Sequence, residues 1–482
     1  MFDAPAVEAG EPVARPRVDK TFRFYDPHQV FLLPPSIDDW LPEGHTARLV
    51  SEVVEEVLDL EPFLAAHTEA RGFPPYDPRL MLKLLIYGYT TGVRSSRAIE
   101  RRCHDDVAFR FLAANAAPDH RTIARFRRRH LDALKGLFIE VLKLCQAAGM
   151  VRLGRVALDG SKVRANASRR KAMSYKRMTE REASLAAEVE EMMADAEATD
   201  VAEDKRFGPD GRGDDLAGEL ARRTSRLAKI RQAKADLEAD AARQAGADAA
   251  RRSWHHSARR GEDPDARQDA AAEAATEAAA RATPDDKAQR NFTDPDSRIM
   301  KTSDGSFHYC YNAQAVVDDA HQVIIATRLD NRAADAPAFA GMVDAAIANC
   351  GAAPRQVLAD AGYFSEDNVH AATQRKVDAL IATGRLPHNK TPPPAPRGRI
   401  PKTATIKERM ARKLRTKAGR AAYARRKAIV EPVFGQTEVC QGGKRLLLRG
   451  AQATEAEWTF LNACHNLRKL LSFAGTTKPT PA

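Results

Sequence analysis

Residues 155–163 read RVALDGSKV and residues 356–364 read QVLADAGYF, and these two stretches decide the fold. Each is a short apolar run with strand composition. The first carries Asp159 in its middle and the second ends at Asp360. Burying an unpaired carboxylate is costly, so each aspartate calls for a matching cation. Further strands are expected at 308–318 and 322–330, joined by a short turn that suits a hairpin. A helix is expected over 336–349, and another after Asp360 with Ser365 as its cap. Residues 378–383, DALIAT, supply a parallel partner strand. A later helix contains AIVEPVFGQ with Glu431, and the last helix carries Trp458, Phe460, Leu461, Leu467 and Leu470 towards the sheet. The expected fold class is α/β, a mixed sheet flanked by helices. Carboxylates brought together from two strands and a helix repel one another unless a divalent cation lies between them. Oxygen ligands without Cys or His partners favour Mg²⁺ or Mn²⁺ over zinc.

Before the first strand the pattern is helical. Residues 1–23 are rich in Pro and Ala without periodicity and are expected to be a disordered terminus. Residues 24–137 are expected to form an all-α domain. Leu49, Val50, Val53, Val54 and Val57 make one apolar stripe, and Asp77-Pro78 is a cap followed by a first-turn proline. In PDHRTIARFRRRH, Asp119 caps a helix that turns Ile123 and Phe126 inward and its arginines outward, the arrangement of a helix-turn-helix variant.

Residues 171–290 interrupt the strands, leaving 150–170 and 291–475 to make the core. Leu216, Leu220, Leu227, Ile230 and Leu237 recur at helical spacing, with FGPDGRGDD (207–215) as the turn of a helical hairpin. Residues 251–290 are helix-prone without an apolar stripe and are expected to be a mobile, solvated linker.

The chain has 482 residues and a formal charge of +11. Fourteen Lys and Arg against the single acid Glu408 lie between Lys390 and Lys427, a local excess larger than that of the whole chain. A second basic cluster comprises Arg121, Arg125, Arg127, Arg128 and Arg129. Two such runs point to a polyanion, because phosphate contacts release counterions. Six scattered cysteines without a C-x-x-C pair argue against a disulfide scaffold and fit a reducing cytoplasm. There is no long apolar run, no signal-like start and no phosphate-binding G-x-x-x-x-G-K-[ST], so neither a membrane nor a nucleotide cofactor is expected. Cys103-His104-Asp105-Asp106 lacks a second Cys/His cluster to complete a zinc site. Cys464-His465-Asn466 are neighbours on a helix and diverge, so both groups read as packing. Asp294 and Asp296 either order a loop near the site or form a turn.

The segments VALDGSKVRANAS, NFTDPDSRIM, YNAQAVVD, VLADAGY and YARRKAIVEPVFGQ resemble the signature segments of DDE transposases of bacterial insertion sequences. The resemblance extends to the helical N-terminal part, FRFYDPHQVFLLPPSIDDWLPEGH to PDHRTIARF, and to the helical insertion after the first strand. It implies a ribonuclease-H-like core in which Asp159, Asp360 and Glu431 are the catalytic acids and hold two Mg²⁺ or Mn²⁺ ions. It further implies double-stranded DNA as partner, both terminal inverted repeats and target, with a homodimer acting on it in a bacterial cytoplasm. Arg426 would contact a phosphate, and Tyr423 and Lys427 would assist DNA binding beside Arg121, Arg125, Arg128 and Arg129.

Two departures stand out. Tyr423, Arg426 and Glu431 are separated by two and then four residues, where many relatives have two and three. Seven places after Glu431, where a basic residue is expected, stands Glu438, and the nearest lysine is Lys444. Glu438 is therefore a second candidate for the third acid, and a straight helix would project both from one face. The alternatives to an active transposase are a decayed DNA-binding copy and a nuclease of the same fold without strand transfer.

Overall fold

The computed structural model describes residues 36–66, 75–207, 215–384, 393–394 and 398–477, without the side chains of 194–207, 215–220 and 475–477. The expected loose terminus, the hairpin turn at 208–214 and most of the Pro-rich stretch before residue 398 lie outside the described residues.

Among the described residues, a 3₁₀ turn at Ile37–Trp40 is followed by α1 (Thr46–Glu56), α2 (Glu61–Leu64), α3 (Pro78–Thr91), α4 (Ser96–Asp105), α5 (Val107–Leu112), α6 (His120–Arg129) and α7 (Leu131–Ala147). Their starts follow local chemistry. The Asp77 carboxylate accepts the Arg79 amide ahead of Pro78, and Asp119 accepts the amides of Arg121 and Thr122. One expectation fails on α6. Arg127 does not face solvent with its neighbours but is buried, donating to the Tyr89 hydroxyl at 3.2 Å and the Arg94 carbonyl at 3.1 Å. It follows Phe126 on the inward face, and helical periodicity carries it inside while Arg121, Arg125, Arg128 and Arg129 stay exposed.

Strand β1 (Val156–Arg164) leads to β2 (Ala172–Ser174), then to the inserted helices α8 (Tyr175–Phe207), α9 (Asp215–Arg259) and α10 (Pro264–Arg281). Strand β3 (Gln289–Asn291) pairs antiparallel with β2 and closes the insertion. Met178, Leu185 and Val189 of α8 pack on Leu227, Ile230, Ala233 and Leu237 of α9 in a small core of their own. The stretch expected to be a mobile linker is helical through Arg259 and again over α10, which lies along α9. No apolar stripe is needed because the contact is made by small residues: a Cβ added at Gly246 would stand 3.1 Å from the Ala275 carbonyl oxygen.

The chain then forms β4 (Arg298–Lys301), β5 (Phe307–Asp318), β6 (Ile324–Asp330), α11 (Phe339–Cys350), β7 (Gln356–Ala359), α12 (Glu366–Gln374) and β8 (Asp378–Ile381). Helices α13 (Ile406–Arg415) and α14 (Lys417–Gly435), a π turn at Gln436–Cys440 and α15 (Ala451–Thr477) complete it. The sheet runs β6-β5-β1-β7-β8, and β4 pairs with the other end of β5. β6, β5 and β1 are antiparallel neighbours, whereas β1, β7 and β8 are parallel. Three antiparallel strands followed by two parallel ones, with helices against the sheet, make the ribonuclease-H-like mixed α/β architecture. Asn466 of α15 fastens this last helix to the sheet, exchanging hydrogen bonds with the backbone N–H and C=O of Ile324 at 2.8 and 2.7 Å. α15 also lies along α7, and one buried apolar cluster runs from the first helices into the sheet.

Candidate active site on the central strand

The strand register brings Asp159 and Asp360 together. Leu158 of β1 pairs with Ala359 of the parallel strand β7, so the next residues along both strands are the two aspartates. Neighbouring strands lie about 4.8 Å apart, which makes 159 and 360 lateral neighbours although 200 residues separate them in sequence. Asp159 accepts the Gly160 amide at 2.9 Å, and Asp360 accepts the Gly362 amide at 2.8 Å, capping the short 3₁₀ turn Ala361–Tyr363.

Helix α14 supplies the compensating charge. The Arg426 guanidinium donates to Asp159 at 2.7 Å, and both side chains are largely buried. Burial raises the Asp159 carboxyl above its ordinary value, Arg426 pulls it back down, and the negative charge of Asp360 adds to the rise. Burial works against the charged Arg426, but the Asp159 carboxylate beside it holds it charged and its pKa ends up raised. One turn earlier, Tyr423 donates to the carbonyl of Ala359, the residue before Asp360. Tyr423 therefore braces the end of β7, and Arg426 holds the acid in the middle of β1.

The two glutamates have different settings. Glu431 lies on the exposed side of α14 and, among the described residues, makes no hydrogen bond or ion pair. Glu438 lies in the π turn, is partly buried, and accepts the hydroxyl of Ser161, which shares a strand face with Asp159. The straight helix that would have projected both acids from one face is replaced by a helix ending at Gly435 and a wider turn. Among the described residues, no three His, Cys, Asp or Glu side chains stand close enough together to hold a metal ion in this arrangement.

Residues 35–129 match the family described as "Transposase domain (DUF772)", and residues 280–467 match the one described as "Transposase DDE domain". The chain belongs to the DDE transposases of insertion elements. No curated protein and no solved structure matches it. The transposase match encloses Asp360 and Glu431, and it begins beyond β1, the strand of Asp159. DDE transposases are a family of DNA-cleaving and DNA-joining enzymes that use divalent metal ions.

Elsewhere in the transposase, Arg121, Arg125, Arg128 and Arg129 line the exposed side of α6, and Lys427 is exposed on α14. Among the described residues, no helix is long and apolar enough to cross a membrane. The remaining sequence candidates are occupied structurally. Cys103 is buried, and Asp106 caps α5. Cys464 is buried. Asp294 accepts the Tyr311 hydroxyl at 2.8 Å and the Gly450 amide at 3.1 Å, while Asp296 accepts the Ala451 amide at 2.7 Å. Together they tie the loop before β4 to the start of α15.

Sequence reading missed Asp335. Its carboxylate receives the Lys162 ammonium and the amides of Asn312 and Gln314, and Gln314 in turn accepts the Tyr363 hydroxyl. The signal was present as the polar residues Asn312 and Gln314 among the buried residues of β5, since such residues need buried partners.

Proposed function

We propose that this transposase binds the ends of its element and catalyses metal-dependent cleavage and strand transfer of DNA, with Asp159 and Asp360 as the central acids. The observation that carries the reading is the register that sets the two aspartates side by side, with Arg426 as the ion-pair partner of Asp159. Paired hard carboxylates beside a single guanidinium fit a divalent cation such as Mg²⁺ or Mn²⁺. Asp159 and Asp360 would hold it, joined by Glu431, whose carboxylate is uncommitted. Such an ion supplies activation of the attacking oxygen and stabilisation of the leaving one. Arg426, released from Asp159, turns to a phosphate, and Tyr423 keeps the end of β7 in place. Water attack frees a 3′-hydroxyl at the element end. That hydroxyl then attacks a target phosphodiester, exchanging one such bond for another without a nucleotide cofactor. Arg121, Arg125, Arg128, Arg129 and Lys427 provide phosphate contacts, and a homodimer on DNA brings two ends together.

The Ser161 contact favours a second reading of one residue, in which Glu438 completes the site. A strand-transfer assay on terminal-repeat DNA with Mg²⁺ decides both points. Asp159→Asn and Asp360→Asn should each lower transfer by more than roughly 100-fold, beyond the usual cost of losing an outer partner of a metal ligand, while DNA binding persists. Wild-type transfer by either variant would overturn the assignment. Glu431→Gln should share that loss and Glu438→Gln should not, and the reverse result moves the third acid to 438. Neutralising Arg125, Arg128 and Arg129 together should flatten the salt dependence of DNA affinity by about 0.9 in slope per lost contact.

A further inference from the structure

The Asp335 cluster lies on the face of the sheet opposite the Asp159 side chain. Gly160 pairs with Gln314 and Lys162 with Asn312 across β1 and β5, so these four residues share a face that alternation sets against that of Asp159 and Ser161. Three donors converge on one oxygen of Asp335: the Lys162 ammonium at 3.0 Å, the Asn312 amide at 2.6 Å and the Gln314 amide at 3.0 Å. A Cβ added at Gly160, directly after Asp159, would stand 2.5 Å from the Gln314 amide nitrogen and 3.1 Å from that same Asp335 oxygen. The other Asp335 oxygen lies near the second aspartate. A Cβ added at Gly362 would stand 3.1 Å from it and 3.0 Å from an Asp360 oxygen, so the two carboxylates lie within about 6 Å of each other. A side chain at either point would meet the Asp335 cluster, which lies beneath the middle of β1 and the turn that follows β7. Tyr363 spans the arrangement. It is fully buried, and its hydroxyl is pushed well above the ordinary value by burial and then by the charges of Asp335, Asp159 and Asp360.

We propose that Lys162 and Asp335 form a positioning pair for the catalytic acids, which fixes the floor under Asp159 and Asp360 and sets their affinity for a divalent cation through opposing charges. This rests on the reading that those two aspartates hold the metal. Unit charges at this range inside a protein interact strongly enough to matter, and here they act with opposite sign. The Asp335 carboxylate attracts a cation towards Asp360, and the Lys162 ammonium restrains that attraction. A pair that merely filled space would not produce effects of opposite direction.

The experiment is a Mn²⁺ titration of the full chain without DNA, followed by electron paramagnetic resonance of the free ion. Lys162→Met should tighten Mn²⁺ binding several-fold. Asp335→Asn should weaken it by about tenfold, the equivalent of 1.4 kcal/mol, and adding Lys162→Met to Asp335→Asn should restore most of the loss. Asp159→Asn and Asp360→Asn serve as references and should each weaken binding more than Asp335→Asn does. If the reference variants leave Mn²⁺ binding unchanged, the metal-holding reading fails. If they weaken it while Lys162→Met and Asp335→Asn shift it in the same direction or not at all, the role of the pair fails alone. Lys162 is partly exposed, so its variant decides the matter even if Asp335→Asn does not fold.

Discussion

The centre of the molecule and its helical insertion use the same charged residue types to opposite ends. Where the first helices meet the sheet, one ion pair is deep and each partner has several tasks. Arg94 and Glu457 have side chains 5% and 0% exposed, and Glu457 also accepts the amides of Leu447 and Leu448. Arg94 lies just after α3 and donates to the Arg445 carbonyl, so this pair joins the first helices to the loop that follows Glu438. Along the helices of the insertion many pairs lie on the surface, as with Arg281 and Glu277 or Arg251 and Asp248, although Arg290 of β3 is buried against Asp236 and Asp240. A pair is structurally decisive where water cannot replace a lost partner.

That contrast can be broken from its strongest end. Arg94→Met leaves the Glu457 carboxylate buried and unpaired, and should destabilise the chain by about 3–5 kcal/mol in urea unfolding. A loss under 1 kcal/mol would erase the distinction. Ile230→Ala opens the small core between α8 and α9, at a cost of about 2 kcal/mol. Hydrogen exchange should locate that damage in the insertion and leave the amides of β1 and β7 protected. Loss of protection in the sheet would show that the two regions unfold as one.

His465 sharpens the comparison through pH. Burial lowers it from 6.5 to about 3. Above 6.5 it is neutral in both folded and unfolded chains, whereas between there and about 3 only the unfolded chain takes up the proton. Stability should therefore fall as pH drops through that window, and His465→Gln should flatten the decline in melting temperature. An unchanged pH profile would remove His465 from the account. The smallest effect belongs to the insertion surface. Glu182→Gln cuts the contacts to Arg231 and Lys234 and should cost at most about 1 kcal/mol, fading in high salt.

The sheet was legible because its strands carry their own evidence. Val156 to Leu158, Val357 to Ala359 and the β5–β6 hairpin are apolar runs between turn residues, and a buried strand needs nothing else to announce itself. The caps Asp77, Asp119 and Ser365 were equally readable, since each acts within three residues. The order of α10 was not legible, because packing through alanine and glycine leaves no amphipathic stripe. For Arg127, periodicity points inward four residues after Ile123, but the acceptors that let a guanidinium stay buried, Tyr89 and Arg94, lie more than thirty residues away and were not legible. The candidate site divides the same way. The aspartates stand out as acids in apolar strands, whereas Asp335 sits in a polar loop and is signalled only indirectly, by Asn312 and Gln314 on β5.

From the amino-acid order alone follow the α/β class, the strands bearing Asp159 and Asp360, the helical start and the basic faces, because each depends on near neighbours and periodicity. Only the tertiary structure decided that Arg426 answers Asp159, that Asp335 underlies both Gly160 and Gly362, and that Glu431 and Glu438 part company at a π turn. Those outcomes depend on strand register and helix docking, where residues distant in sequence meet and a shift of one position changes which charges face each other.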